Sequence, residues 1–148
     1  MSWPSLLLVV LSLAGFIISS YFTAVAYRWV RPDAAWIPSF CRMGEKTCAT
    51  IVFTPRARVL GVPNSVLAQL FYPLIAAGTL EGFLFTSPIF HFSLLASLVT
   101  VLLGLFLTYS LLFLTRVPCI LCFASHGINA VIFVLLLLEK DSVSGALW

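Results

Sequence analysis

Charge is what this sequence has least of: eight Lys and Arg and five Asp and Glu among 148 residues, 9% in all. Soluble domains carry about a quarter charged residues, so a supply this sparse cannot dress a globular surface for water. With 61% hydrophobic residues and a mean hydropathy of +1.12, the chain reads instead as an integral membrane protein. Also missing are the haem-attachment run C-x-x-C-H, a glycine-rich dinucleotide fingerprint and a basic Walker loop, so none of those cofactors has its usual holder here. No nucleic-acid partner is expected. The opening MSWPS has no basic side chain, so although Ala24-Val25-Ala26 looks like a cleavage site, the first apolar run is read as a retained span and not as a signal peptide.

What is there is apolar sequence in four runs, at about 5–27, 65–85, 92–114 and 119–138. A hydrocarbon core of about 30 Å takes about 20 residues of helix, and in lipid only a helix satisfies the backbone of such a run. The expectation is an all-α integral membrane fold, a four-transmembrane-helix bundle in a single domain, 1–148, with a capping loop between helices 1 and 2. The connections TSPIFH and TRVP are short. Residues 28–64 differ, with four prolines, two glycines, most of the charge and the cysteines at 41 and 48. Proline and glycine argue against another long helix there, and the apolar piece 49–53 is too short to span, reading as an interfacial or re-entrant segment. With four crossings, that loop and the start of the fourth span face the same compartment, so all four cysteines do.

Pro118 suits a first helical turn, which puts Cys119 and Cys122 at the opening of the fourth span, where free N–H groups and the helix dipole favour a thiolate. C-x-x-C is the spacing of dithiol redox chemistry. Cys41 and Cys48 make a second pair, C-x6-C, in the loop. Two other readings stand beside this one: cysteines as small apolar residues, and a zinc or other soft-metal site, whose usual C-x(2–4)-C pairs the six-residue gap violates. At about 100° per residue, Cys119, Cys122, His126 and Asn129 share an arc of about 80°, a polar stripe descending into the span. His126 reads equally as an interhelical hydrogen bond or a ligand contact, and Asn129 as a helix-to-helix fastener. Ser97, Thr100, Gly104 and Thr108 read as a close-packing face, Pro73 as a kink, and Asn64 as a helix cap. Electrons leaving a membrane dithiol need an acceptor; a lipid-soluble quinone requires only an apolar cavity and one or two hydrogen-bond donors, a role that His126 fits.

The whole chain resembles the vitamin K epoxide reductase family, through the loop pair Cys41 and Cys48, the "CILC" opening the last helix, and "CATIVFTPRARVLGVPNSVLAQLFYPL", including Thr54. The stretch "NSVLAQLFY" is similar to the vertebrate members, in which the residue matching Asn64 hydrogen-bonds the quinone. The resemblance implies a membrane thiol–disulfide oxidoreductase that reduces a quinone such as vitamin K, menaquinone or ubiquinone, with no metal. Cys41, Cys48, Cys119 and Cys122 would be catalytic, and Asn64, His126, Phe71 and Tyr72 would bind the quinone. It also implies an order, in which Cys41 exchanges with a partner thiol, Cys48 bonds Cys119, and Cys122 faces the quinone. Vertebrate members have a Tyr where this chain has His126. Ten residues follow Leu138, too few for the thioredoxin-like domain fused in many bacterial relatives, so a separate thioredoxin-fold protein is the implied partner. The location is a cell membrane, multi-pass. Its sidedness is in conflict: seven basic residues, Arg28, Arg31, Arg42, Lys46, Arg56, Arg58 and Arg116, lie on the cysteine side against Lys140 opposite, which points the cysteines to the cytoplasm, whereas the family keeps them where disulfides persist.

Overall fold

Ser2 opens the first helix by capping it: its hydroxyl accepts from the Ser5 N–H at 3.4 Å, and Pro4 occupies the first turn, where no N–H is needed. The structure is a computed structural model and describes residues 2–31, 55–59, 61–114, 116 and 119–145. Helix α1 spans Trp3–Ala26 and buries Ser5, Leu8, Ser12, Gly15, Ser19 and Thr23. These fall three or four residues apart, so one seam of small side chains faces inward and lets neighbouring backbones come close. The helix stops at Arg28, whose φ of 60° is left-handed; its N–H returns to the Val25 carbonyl at 3.0 Å and the Trp29 N–H to that of Ala24 at 2.8 Å. This is a Schellman ending with arginine at the position glycine usually holds. Tyr27 and Trp29, both exposed, stack with ring centroids 5.4 Å apart, as aromatics do at a membrane–water boundary.

The residues from 55 onward form a 3-10 turn, Pro55–Ala57, and a small antiparallel hairpin of β1 (Arg58–Val59) and β2 (Val62–Pro63), with Gly61 at φ 79° in its turn. The hairpin leads straight into α2, Asn64–Glu81. Asn64 is thus the first helical residue and not the cap, a position held by Pro63. Pro73 lies inside α2, which continues through it. Gly82, at φ 79°, ends α2 in the left-handed conformation, and a 3-10 turn, Phe83–Phe85, folds Leu84 back against Gly78, where a Cβ would sit 3.1 Å from the leucine's own. The stretch read as a connection, 86–91, is mostly helix: Thr86 caps α3, Ser87–Tyr109, with Pro88 in its first turn. A π-helical turn, Ser110–Leu114, continues α3, and α4 runs Ile120–Gly145.

Three helices among the described residues are long and apolar enough to cross a membrane: Trp3–Ala26, Pro88–Leu114 and Ile120–Asp141. The second is where the four-span expectation stops short. At 18 residues, α2 is about 27 Å long, and it spends positions on Asn64, Ser65, Gln69 and Thr79. The most extensive helix packing is of α1 on α2, α3 on α4, and α1 on α4, with α2 and α3 in less extensive contact. The core gathers Leu8, Phe71, Tyr72, Ile75, Leu84, Phe90, Ile132, Leu135 and Leu136. Large apolar side chains also point outward, Ile17 (69% exposed), Leu70 (71%) and Leu105 (64%) among them. Serines inside and leucines outside is the packing of helices whose solvent is lipid.

Candidate active site

Where α2 stands away from α3, all four helices wall a cavity of about 500 Å³, a size that suits one small organic molecule. Most of the wall is apolar: Leu67, Ala68 and Phe71 from α2, Leu95, Val99, Leu103 and Leu107 from α3, and Phe22 from α1. Its polar groups converge from two helix beginnings. The start of α2 supplies Asn64 and Ser65, fastened to the end of α1 by the Thr23 hydroxyl donating to Ser65 Oγ at 2.9 Å. One turn on, Gln69 Nε2 donates to Ser20 Oγ at 3.0 Å. The start of α4 supplies Cys122, Ser125, His126 and Asn129, one helical face in successive turns.

Cys119 precedes the first helical residue of α4 and is fully buried against Val25 at the end of α1. The Cys122 N–H donates to Cys119 Sγ at 3.3 Å, so a first-turn donor that the helix cannot use is spent on sulfur. Cys119 is disulfide-bonded, whereas Cys122 is a free thiol, so the two members of the C-x-x-C are not bonded to each other.

Of the residues expected at a ligand site, Asn64, Phe71, Cys122 and His126 line this one cavity. Tyr72 does not. It is fully buried behind the wall, its ring against Gly15 of α1, where any Cβ would overlap it, and its hydroxyl donates to Asn129 Oδ1 at 2.7 Å. The fastening role expected of Asn129 is therefore present, between α4 and α2. Cys41, Cys48, Thr54, Pro118 and the segment 49–53 lie outside the described residues, and so do two ligands of the four-cysteine metal reading. Among the described residues no three His, Cys, Asp or Glu side chains come together.

Three contributors were not singled out as site residues. Ser125 lies 3.4 Å from the Tyr72 hydroxyl and lines the cavity; its signal was a polar residue one turn before Asn129. Thr100 lines the cavity from α3. Gly104, read as packing, faces His126 so closely that a Cβ on it would sit 3.1 Å from the imidazole Nδ1.

No curated protein matches the sequence. The model of the vitamin K epoxide reductase family matches residues 6–137, a stretch that takes in α2 and α3, most of α1 and α4, both halves of the C-x-x-C and the whole cavity wall. The chain is a multi-pass membrane protein and belongs to the vitamin K epoxide reductase family.

Proposed function

We propose that this protein couples disulfide formation in a thioredoxin-fold partner to reduction of a membrane quinone. Family membership brings membrane oxidoreductase chemistry in general. The observation that carries the finer reading is the free thiol of Cys122 opening on an apolar cavity that Asn64 and His126 also line. A flat ring with two acceptor oxygens fits such a space, and no nucleotide-binding apparatus is needed. When bound, a quinone accepts two electrons and two protons and leaves as the hydroquinone.

The chain's residues do the rest. A partner dithiol attacks the Cys41–Cys48 disulfide at Cys41, and a second attack within the partner releases the partner oxidised and the loop pair as a dithiol. Cys48 then attacks the Cys119–Cys122 disulfide at Cys119, which bonds Cys48 to Cys119 and frees Cys122 as a thiolate. Attack by Cys41 on Cys48 restores the loop disulfide and releases Cys119, leaving a dithiol at 119 and 122. Its two electrons pass to the quinone from the Cys122 side as the Cys119–Cys122 bond reforms, and its two protons complete the hydroquinone. A bonded Cys119 beside a free Cys122 supports Cys119 as the member of the C-x-x-C that takes part in exchange, with Cys122 left as the free thiol. His126 and Asn64 hold the quinone oxygens.

The test is anaerobic. Reduced, purified protein is mixed with a quinone and hydroquinone formation is followed, in wild type and in Cys122→Ser. Rapid reduction by wild type that disappears in the variant is the expected result. Well-folded wild-type protein that reduces no quinone would sink the proposal.

A further inference from the structure

Asn129 sits in the cavity wall with one half of its amide already spoken for. Its Oδ1 accepts from the Tyr72 hydroxyl at 2.7 Å. Tyr72 cannot readily move away, because its buried ring fills the space left by the missing side chain of Gly15. Fixing the oxygen fixes the flip of the amide, so what remains to Asn129 is its pair of N–H donors. These have no hydrogen-bond partner among the described residues. They are not sealed in protein either, since the amide nitrogen is not among the buried polar atoms that lack a partner. A donor open to an apolar cavity forgoes a hydrogen bond until a ligand supplies an acceptor.

We propose that Asn129 is a ligand-binding residue of this cavity, donating from its amide N–H₂ to an acceptor oxygen of the bound molecule, and that Tyr72 positions it. The inference rests on the quinone reading and sharpens it. A quinone carbonyl only accepts, so the useful orientation of an asparagine is the one that presents N–H and hides C=O, and Tyr72 enforces it. His126, one turn earlier on the same face of α4, makes the neighbouring polar contact. Tyr72 thereby has a function without touching the ligand.

The probe is menadione, a small naphthoquinone, with the full-length protein in lipid nanodiscs. Three quantities are measured: the dissociation constant, the infrared carbonyl band of 13C-carbonyl-labelled menadione, and thermal stability. Asn129→Leu removes the amide at similar volume, and Tyr72→Phe removes only the hydroxyl while keeping the ring on Gly15. Each is expected to raise the dissociation constant about three- to tenfold, the size of one neutral hydrogen bond. The carbonyl band should move toward its free frequency in Asn129→Leu, and Tyr72→Phe should add nothing to that variant. Unchanged affinity and an unchanged band, with only stability lowered, would overturn the inference and leave Tyr72 and Asn129 as a fastener between α2 and α4. Wild-type protein that neither binds nor reduces menadione would overturn the quinone reading and this inference together.

Discussion

At the scale of single residues, the chemistry turns on which sulfur leaves. The Cys119 sulfur accepts the Cys122 N–H at 3.3 Å at the opening of α4, so charge that develops on it during exchange meets a donor and the positive end of a helix dipole. In the proposed relay that makes Cys119 a good leaving group at the step in which Cys41 attacks Cys48 of the Cys48–Cys119 disulfide, while the thiol on the cavity wall is Cys122. The relay therefore predicts what happens when its resolving thiol is removed. In Cys41→Ala nothing can attack Cys48, and the protein should accumulate a Cys48–Cys119 disulfide with Cys122 free, detected by peptide mapping without reduction after thiol blocking. Finding only Cys119–Cys122 in that variant would rule out the order. Quinone reduction by this variant should stall after a single turnover or less.

At the scale of helices, the site exists because one pair of helices packs closely and another packs sparsely. Helices α3 and α4 approach closely at Gly104 and His126, where an added Cβ would lie 3.1 Å from Nδ1, tighter than side chains ordinarily pack. Gly104→Ala should displace the imidazole by a few tenths of an ångström and raise the quinone KM several-fold, while the melting temperature changes little because alanine favours the helix. The increase should vanish when His126 is also replaced by alanine; persistence there would make Gly104 a packing residue only. The sparse packing between α2 and α3 was not legible in the sequence. Hydrophobic runs announce helices: all four expected runs contain one, with α1 within two residues of its expected limits, α3 beginning five residues early and α4 ending seven residues late. The stripe Cys122, His126 and Asn129 was also legible, because periodicity alone puts it on one face of α4. Tyr72 was expected among the ligand contacts by its place in "NSVLAQLFY", but which way a helical side chain points depends on what it packs against. Here a glycine on another helix, 57 positions earlier, draws the ring inward. The shortness of α2 was hidden for a similar reason: its end is set by Gly82 and by Leu84 folding back, and apolar Phe83, Leu84 and Phe85 extend the hydrophobic run past Glu81.

At the scale of the molecule, the charges at the helix ends bear on which way it faces, and the length of α2 on whether it crosses the membrane. Arg28, Arg31, Arg58 and Arg116 are exposed at the end that carries Cys119 and Cys122, while Glu81, Lys140 and Asp141 are exposed at ends of α2 and α4 remote from it. Basic residues are retained in the cytoplasm during insertion, so charge predicts a cytoplasmic cysteine end. The expected result can be read with single cysteines placed in a variant whose native four are replaced by serine. Lys140→Cys should react with a membrane-impermeant maleimide on intact cells, and Arg116→Cys only after permeabilisation. The reverse pattern would mean that the arginines do not set the topology, and their remaining use would be at the surface a thiol protein approaches. The same background decides the fourth span. If α2 crosses, Glu81→Cys must label from the side of Lys140→Cys, and Arg58→Cys from the side of Arg116→Cys. A helix of about 27 Å falls only slightly short of a core of about 30 Å, a mismatch that local thinning of the bilayer accommodates at a fraction of a kcal/mol per Å. Crossing is therefore the expected outcome, and Glu81→Cys labelling together with Arg58→Cys would instead make α2 a re-entrant helix, walling the cavity from the cysteine end alone.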